Sequence, residues 1–158
     1  MDLDRTDLRI LRELQRDGRV PIVDLAKRVA LSPTACQRRV RHLEEGGVIE
    51  RYTALLNPAA LGLEIQAFVQ VRIERQSKDV TESFEAAVRK LPEVRACYVM
   101  TGDLDFLLHV FVADLKAFSD FAMPRLIGVP GVKDVRSSLV LESIKSDEGL
   151  VVRATVDT

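Results

Sequence analysis

At 158 residues, with 47% hydrophobic and 30% charged side chains, the chain has room for one to two small globular domains. A net charge of −1 is silent on nucleic acid, and the two well-separated cysteines, Cys36 and Cys97, fit neither a metal-ligand spacing nor a disulfide framework, so both are read as buried small hydrophobes. The N-terminus opens on charged residues and no apolar run approaches the roughly 18 residues of a membrane span, which points to a cytoplasmic protein with no membrane partner.

In chain order, Asp4 is placed as the N-cap of a first helix, with Asp7 at the reciprocal box position and Leu3 and Leu8 spaced to staple the helix start. Leu8, Leu11 and Leu14 make its buried stripe and Gly18 ends it. In a second helical pattern Ile22, Leu25, Ala26 and Val29 recur at i, i+3, i+4 and i+7, after which Ala30 and Leu31 turn the chain. Ser32 caps a third helix that Pro33 opens and that Gly46 and Gly47 stop. On this helix Cys36, Val40 and Leu43 share an inward stripe, while Thr34, Arg38, Arg41 and His42 point the other way and Gln37 flanks them. Residues 48–52 alternate apolar and polar, which predicts a short strand or wing with Arg51 able to reach a phosphate.

A charged helix face is by itself ordinary solvated surface. The preceding helix, the short turn and the cap together change that reading to a DNA-reading helix-turn-helix, supported by the first helix. Arginine can fork onto guanine or phosphate, glutamine can pair with adenine, and small residues let the helix N-terminus approach base edges. The DNA contacts are therefore assigned to Ser32, Thr34, Ala35, Gln37, Arg38, Arg41, His42 and Arg51. Residues 1–58 carry 11 Lys and Arg against 9 Asp and Glu, and the remainder 12 against 15, so the charge divides in the direction DNA binding requires.

Residues 53–62 are a hinge punctuated by Asn57-Pro58 and Gly62, separating a DNA-binding domain at 1–52 from a second domain at 63–158. There, residues 64–75 alternate as a strand, 79–91 read as an amphipathic helix, and 94–100 and 105–112 as a hairpin turned by Thr101-Gly102-Asp103. A second helix at 115–127 and a strand at 132–144 come next, with 150–156 as a short fifth strand. The order is that of a ferredoxin-like βαββαβ sandwich, so the fold class is α+β with an N-terminal winged helix-turn-helix. The sheet face away from the helices keeps apolar residues such as Phe68 or Leu108, whichever way the register falls, and predicts a homodimer through this domain. Two recognition helices on a two-fold axis match a pseudo-palindromic operator.

The segments at 3–20 (LDRTDLRILRELQRDGRV), 25–58 (LAKRVALSPTACQRRVRHLEEGGVIERYTALLNP), 97–110 (CYVMTGDLDFLLHV) and 131–145 (GVKDVRSSLVLESIK) resemble, in order and spacing, the Lrp/AsnC family of bacterial and archaeal transcription regulators, nearest its leucine-responsive branch. The resemblance implies an amino-acid effector, leucine or another small amino acid, no cofactor, and dimers assembling into tetramers, octamers or larger discs on DNA, in the cytoplasm and at the nucleoid. It places the effector at Thr101, Gly102, Asp103, Leu104 and Asp105 and at Ser137 and Ser138. An amino-acid zwitterion needs a carboxylate for its ammonium and N–H or hydroxyl donors for its carboxylate; Asp103 or Asp105 fits the first role, and the Gly102 backbone with Thr101 or Ser138 the second. Two residues depart from the pattern: Ala30 where the turn often has Gly, and Pro21 where a hydroxyl residue often begins the second helix. An architectural, DNA-compacting protein of low specificity is the alternative, and an enzyme acting on tetrapyrroles a weaker one, since no paired acid and base stand out.

Overall fold

The computed structural model describes residues 2–74, 78–145 and 149–152. They fall into two compact units, Met1–Leu55 with Lys145–Thr158, and Leu56–Ile144. The expected second domain thus gives up its last residues to the first unit.

The first unit is built from α1 (Arg5–Arg16), α2 (Ile22–Arg28) and α3 (Pro33–Glu45). Asp4 accepts the Thr6 and Asp7 amides, each at 2.8 Å, and Asp7 returns the bond to the Asp4 amide at 3.1 Å, completing the reciprocal cap. Because α1 packs on both α2 and α3, its buried stripe is wider than the sequence predicts: Ile10 is fully buried beside Leu8, and Leu11 and Leu14 are half-buried. Pro21 starts α2 with no side-chain cap, its carbonyl accepting the Asp24 and Leu25 amides at 2.9 Å. At the other end the Leu31 amide reaches back to the Ala26 carbonyl at 2.9 Å, which puts Ala30 at φ 57°, the left-handed position that glycine fills at least cost. Buried Leu25, Ala26, Val29, Cys36, Val40 and Leu43 complete the core.

No strand forms at 48–52. The Val48 and Ile49 amides close α3 by donating to the Leu43 carbonyl at 3.0 and 3.1 Å, and no strand among the described residues lies alongside residues 50–52 to pair with them. Tyr52 instead returns to α3, its hydroxyl donating to Glu44 Oε1 at 2.9 Å; burial first, and Glu44 second, push its pKa up to about 12.

The second unit opens with a 3-10 turn at Ala59–Leu61 and continues as β1 (Ile65–Ile73), α4 (Lys78–Val88), β2 (Val94–Val99), β3 (Phe106–Val112), α5 (Leu115–Asp120) and β4 (Val132–Leu139). The sheet is antiparallel in the order β2-β3-β1-β4. Residues opposite each other across an antiparallel ladder share a face. One face, Ala67, Val69, Val71, Leu108 and Val110, is buried with Phe84, Phe121 and Leu126 in the core. The other carries Phe68, His109, Phe111, Leu107 and Tyr98, so Phe68 is outward and Leu108 inward.

Three boundaries differ from the sequence reading for identifiable reasons. β4 stops at Leu139 because its last bond, Val140 N to Gln66 O at 2.9 Å, reaches the start of β1, and no described strand lies beyond to continue the ladder. The helix expected through residue 127 widens into a π-helical stretch at Phe121–Leu126 around Pro124, which lacks the N–H that an α-turn needs. Residues 149–152 form no strand, and the rest of the expected fifth strand lies outside the described residues.

Candidate nucleic-acid interface and effector pocket

Ser32 holds the start of α3, its hydroxyl accepting the Ala35 amide at 3.2 Å, so Ser32 positions the helix while Ala35 sits half-buried behind the exposed face. Thr34, Arg38 and His42 form an exposed stripe, one helical turn apart, with no hydrogen bond or ion pair to any described residue. No acidic residue stands in the first turn, which leaves the positive end of the helix dipole uncompensated there. Gln37 and Arg41 flank that stripe, and Arg41 is engaged: its Nε meets Glu45 Oε1 at 2.7 Å, an exposed pair that a phosphate can displace. Arg51 is exposed, beyond the end of the helix.

Arg39, one residue from Arg38, was not singled out by the sequence, and it does different work. Its guanidinium bonds Asp4 at 2.6 Å and Asp7 at 2.8 Å, tying the recognition helix to the cap of α1. The Asp4 carboxyl is held below its ordinary value of 3.8, chiefly by the Asp7 amide and, against some desolvation, by Arg39. Three of the four arginines expected or available on this surface therefore have separate jobs: Arg38 has no partner among the described residues, Arg41 is loosely paired and Arg39 is structural. Two acidic residues placed one helical turn apart at a helix start were the signal available to find the last.

The effector residues expected at the hairpin are only partly brought together. Thr101, Gly102 and Asp103 are exposed in the β2–β3 turn, with Gly102 at φ 102°. Asp105 is committed to the backbone: its Oδ2 accepts the Ile73 amide at 2.9 Å, its own amide donates to Val71 O at 3.0 Å, and its carbonyl accepts Met100 N at 2.9 Å. Ser137 and Ser138 point to opposite sheet faces, since they pair with Val69 and Phe68. Ser138 lies four residues along β4 from Asp134, about 13 Å at strand rise, and neither serine lines the depression beside the turn.

That depression, of about 160 Å³, is lined by Asp103, Leu104, Gln70, Arg72, Asp134 and Arg136. Arg136 and Asp134 are paired at 3.1 Å, while the side chains of Arg72 and Asp103 have no bond to any described residue. Opposite charges in one small concavity are the groups a zwitterion requires. Sequence reasoning missed Gln70, Arg72, Asp134 and Arg136; their signal was polar residues at alternate positions of two strands otherwise read for their apolar face.

Cys97, unlike Cys36, is exposed. It lies on edge strand β2 in a cleft that Glu85, Val88, Arg89 and Arg95 also line. Desolvation there, and then Glu85, raise its pKa, so it stays a thiol at neutral pH.

On the outward sheet face His109 stacks on Phe68 at a centroid distance of 4.7 Å and 10°, meets Phe111 at 4.7 Å, and its Nε2 lies 2.7 Å from Gln66 Nε2. Burial first, and Arg95 second, lower its pKa and keep the ring neutral at pH 7. Among the described residues no helix is long and apolar enough to cross a membrane.

Comparison with known proteins agrees with this geometry. Residues 3–50 match a family described as winged helix-turn-helix DNA-binding, and residues 66–150 match the Lrp/AsnC ligand binding domain. The leucine-responsive regulatory proteins of Salmonella typhimurium and Escherichia coli K12 are 47% and 46% identical to the chain over 152 residues, 96% of this chain and 93% of each relative. Among solved structures, a Neisseria meningitidis transcriptional regulator in complex with L-Met superposes with a TM-score of 0.88 at 48% identity, covering 91% of this chain and 93% of that one. An AsnC family regulator from Agrobacterium tumefaciens gives 0.88 at 41% identity, covering 93% and 95%.

Proposed function

Since the chain belongs to the Lrp/AsnC family, we propose that this DNA-binding, amino-acid-responsive transcription regulator reads pseudo-palindromic operators as an oligomer of dimers. Its relatives are regulators rather than enzymes, which removes the tetrapyrrole reading. The observation that carries the proposal is the exposed Thr34, Arg38 and His42 stripe, unpartnered among the described residues, on a capped helix of a helix-turn-helix. Gln37, Arg41 and Arg51 extend that surface toward phosphates, and Ser32 and Ala35 place its leading edge against the DNA.

Dimerisation through the outward sheet face, around Phe68, His109 and Phe111, supplies the two-fold axis. The effector is a small amino acid held beside the β2–β3 turn, its carboxylate on Arg72 and its ammonium on Asp103, with Thr101, Gly102 and Leu104 bounding the turn side. Asp105 shapes this pocket by fixing the turn against β1, and Ser137 and Ser138 act from the edge strand on neighbouring subunits in a tetramer or octamer. A protein working in this way resides in the cytoplasm, at the nucleoid.

Gel shifts on the DNA upstream of its own gene and on a random fragment, across a salt series and with a panel of amino acids, test the proposal. Preferential, salt-weakened binding altered by one amino acid is expected, and Asp103→Asn removes that alteration while sparing basal binding. Equal affinity for both fragments would instead establish the architectural reading.

A further inference from the structure

The end of the described chain returns to α1. Gln15 uses both ends of its carboxamide on one residue: its Nε2 donates to Leu150 O at 3.1 Å, and its Oε1 accepts Leu150 N at 2.6 Å. One turn earlier on the same helix face, Arg12 donates to Val152 O through Nε at 3.2 Å and a terminal nitrogen at 2.9 Å. These bonds all go to main-chain groups of residues two apart, which in extended chain lie on the same edge. Arg12 and Gln15 are about 4.5 Å apart along the helix axis against about 6.8 Å between alternate residues of an extended chain, and the longer arginine spans the difference. Gly149 precedes the pair at φ 94°, and an added Cβ would overlap the Gln15 carboxamide.

We infer that the α1 face carrying Arg12 and Gln15 is a docking site for the chain's own C-terminal segment, recognised through its backbone, and that this gives the DNA-reading unit a second attachment besides the hinge. The segment follows β4 in the chain, so two stretches of chain, at 55/56 and at 144/145, join the unit to the sheet domain. A body held at two points has fewer orientations to lose when two recognition helices engage two half-sites. That last consequence rests on the dimeric reading of DNA proposed above; the docking does not.

The test uses the full-length protein and two variants, Gln15→Leu and Gly149→Val, one altering the helix and the other only the segment. Amide exchange at Leu150 is read by NMR, and affinity is measured for the footprinted two-half-site operator and for a single half-site cut from it. In the parent protein the Leu150 amide should exchange at least about tenfold more slowly than in free peptide, and both variants should abolish that protection. Each variant should weaken two-half-site binding by roughly tenfold and leave half-site binding unchanged. Free-peptide exchange of Leu150 in the parent overturns the docking, and lost protection with unchanged two-half-site affinity overturns the second attachment. A parent protein that binds the half-site as tightly as the full operator contradicts the dimeric reading instead, and the exchange data still decide the docking.

Discussion

The two units use charge in opposite ways. In the DNA-reading unit the charges that maintain the fold sit next in sequence to those left free: Arg39 is held by Asp4 and Asp7 while Arg38 has no partner among the described residues. In the sheet domain the charges without a described partner, Arg72 and Asp103, are far apart in sequence and line one depression because strand register brings β1 to the hairpin turn. A helix therefore separates structure from function by angle around its axis, and a sheet does so by face and register.

The comparison breaks most severely at the outward sheet face. Phe68→Asp places a charge within the Phe68, His109 and Phe111 stack and should leave the proposed dimer as monomers in sedimentation analysis, while circular dichroism of the sheet is retained; an unshifted sedimentation coefficient would locate the dimer contact elsewhere. The same contact should respond to acid. His109 has a lowered pKa, so its neutral form is favoured in the native state and the stability it contributes is lost as pH falls through its ordinary 6.5.

Next in size is the recognition stripe. Arg38→Ala should cost about 1–3 kcal/mol per recognition helix, so that a dimer loses roughly thirtyfold or more in operator affinity. Arg41→Ala, whose guanidinium already has Glu45, should cost less and mainly flatten the salt dependence. Equal losses for the two would show that the free-versus-paired distinction does not decide DNA contact.

Smaller effects sharpen the structural side. Ala30→Gly relieves a left-handed alanine and should stabilise the first unit by about 1 kcal/mol, raising its melting temperature by about 4–8 °C. Smallest is Arg39→Leu, a loss of up to about 1 kcal/mol at pH 7, read as a lowered denaturant midpoint. Because the Asp4 carboxyl is held below its ordinary 3.8, its contribution is present at neutral pH and fades as pH falls through that value, so parent and variant should converge in acid.

Legibility in the sequence divides along the same line. Caps, helix periods and the hairpin turn are written in neighbouring residues, and Asp4, Ser32, Gly102 and the inward face of α3 were legible from them. Ala30 stands out in the sequence as a departure where the turn often has Gly, and its backbone is indeed left-handed. Properties set by distant partners were not legible: the closure of α3 by residues 48–49, the early end of β4, the exposure of Cys97 at an edge, and the opposite facing of Ser137 and Ser138. The pocket charges were hidden for the same reason, since alternation says which residues leave the core but not which strands stand beside them.

The division of the chain into Met1–Leu55 with Lys145–Thr158 and an intervening Leu56–Ile144 makes the sheet domain, topologically, a guest inserted in a discontinuous host. Building a chimaera that gives this DNA reader a new sensor therefore calls for two junctions, at 55/56 and 144/145. A fragment cut after the first junction alone would be an incomplete host, missing its final strip. Conversely, a guest with closely spaced ends is the kind of module such a host accepts.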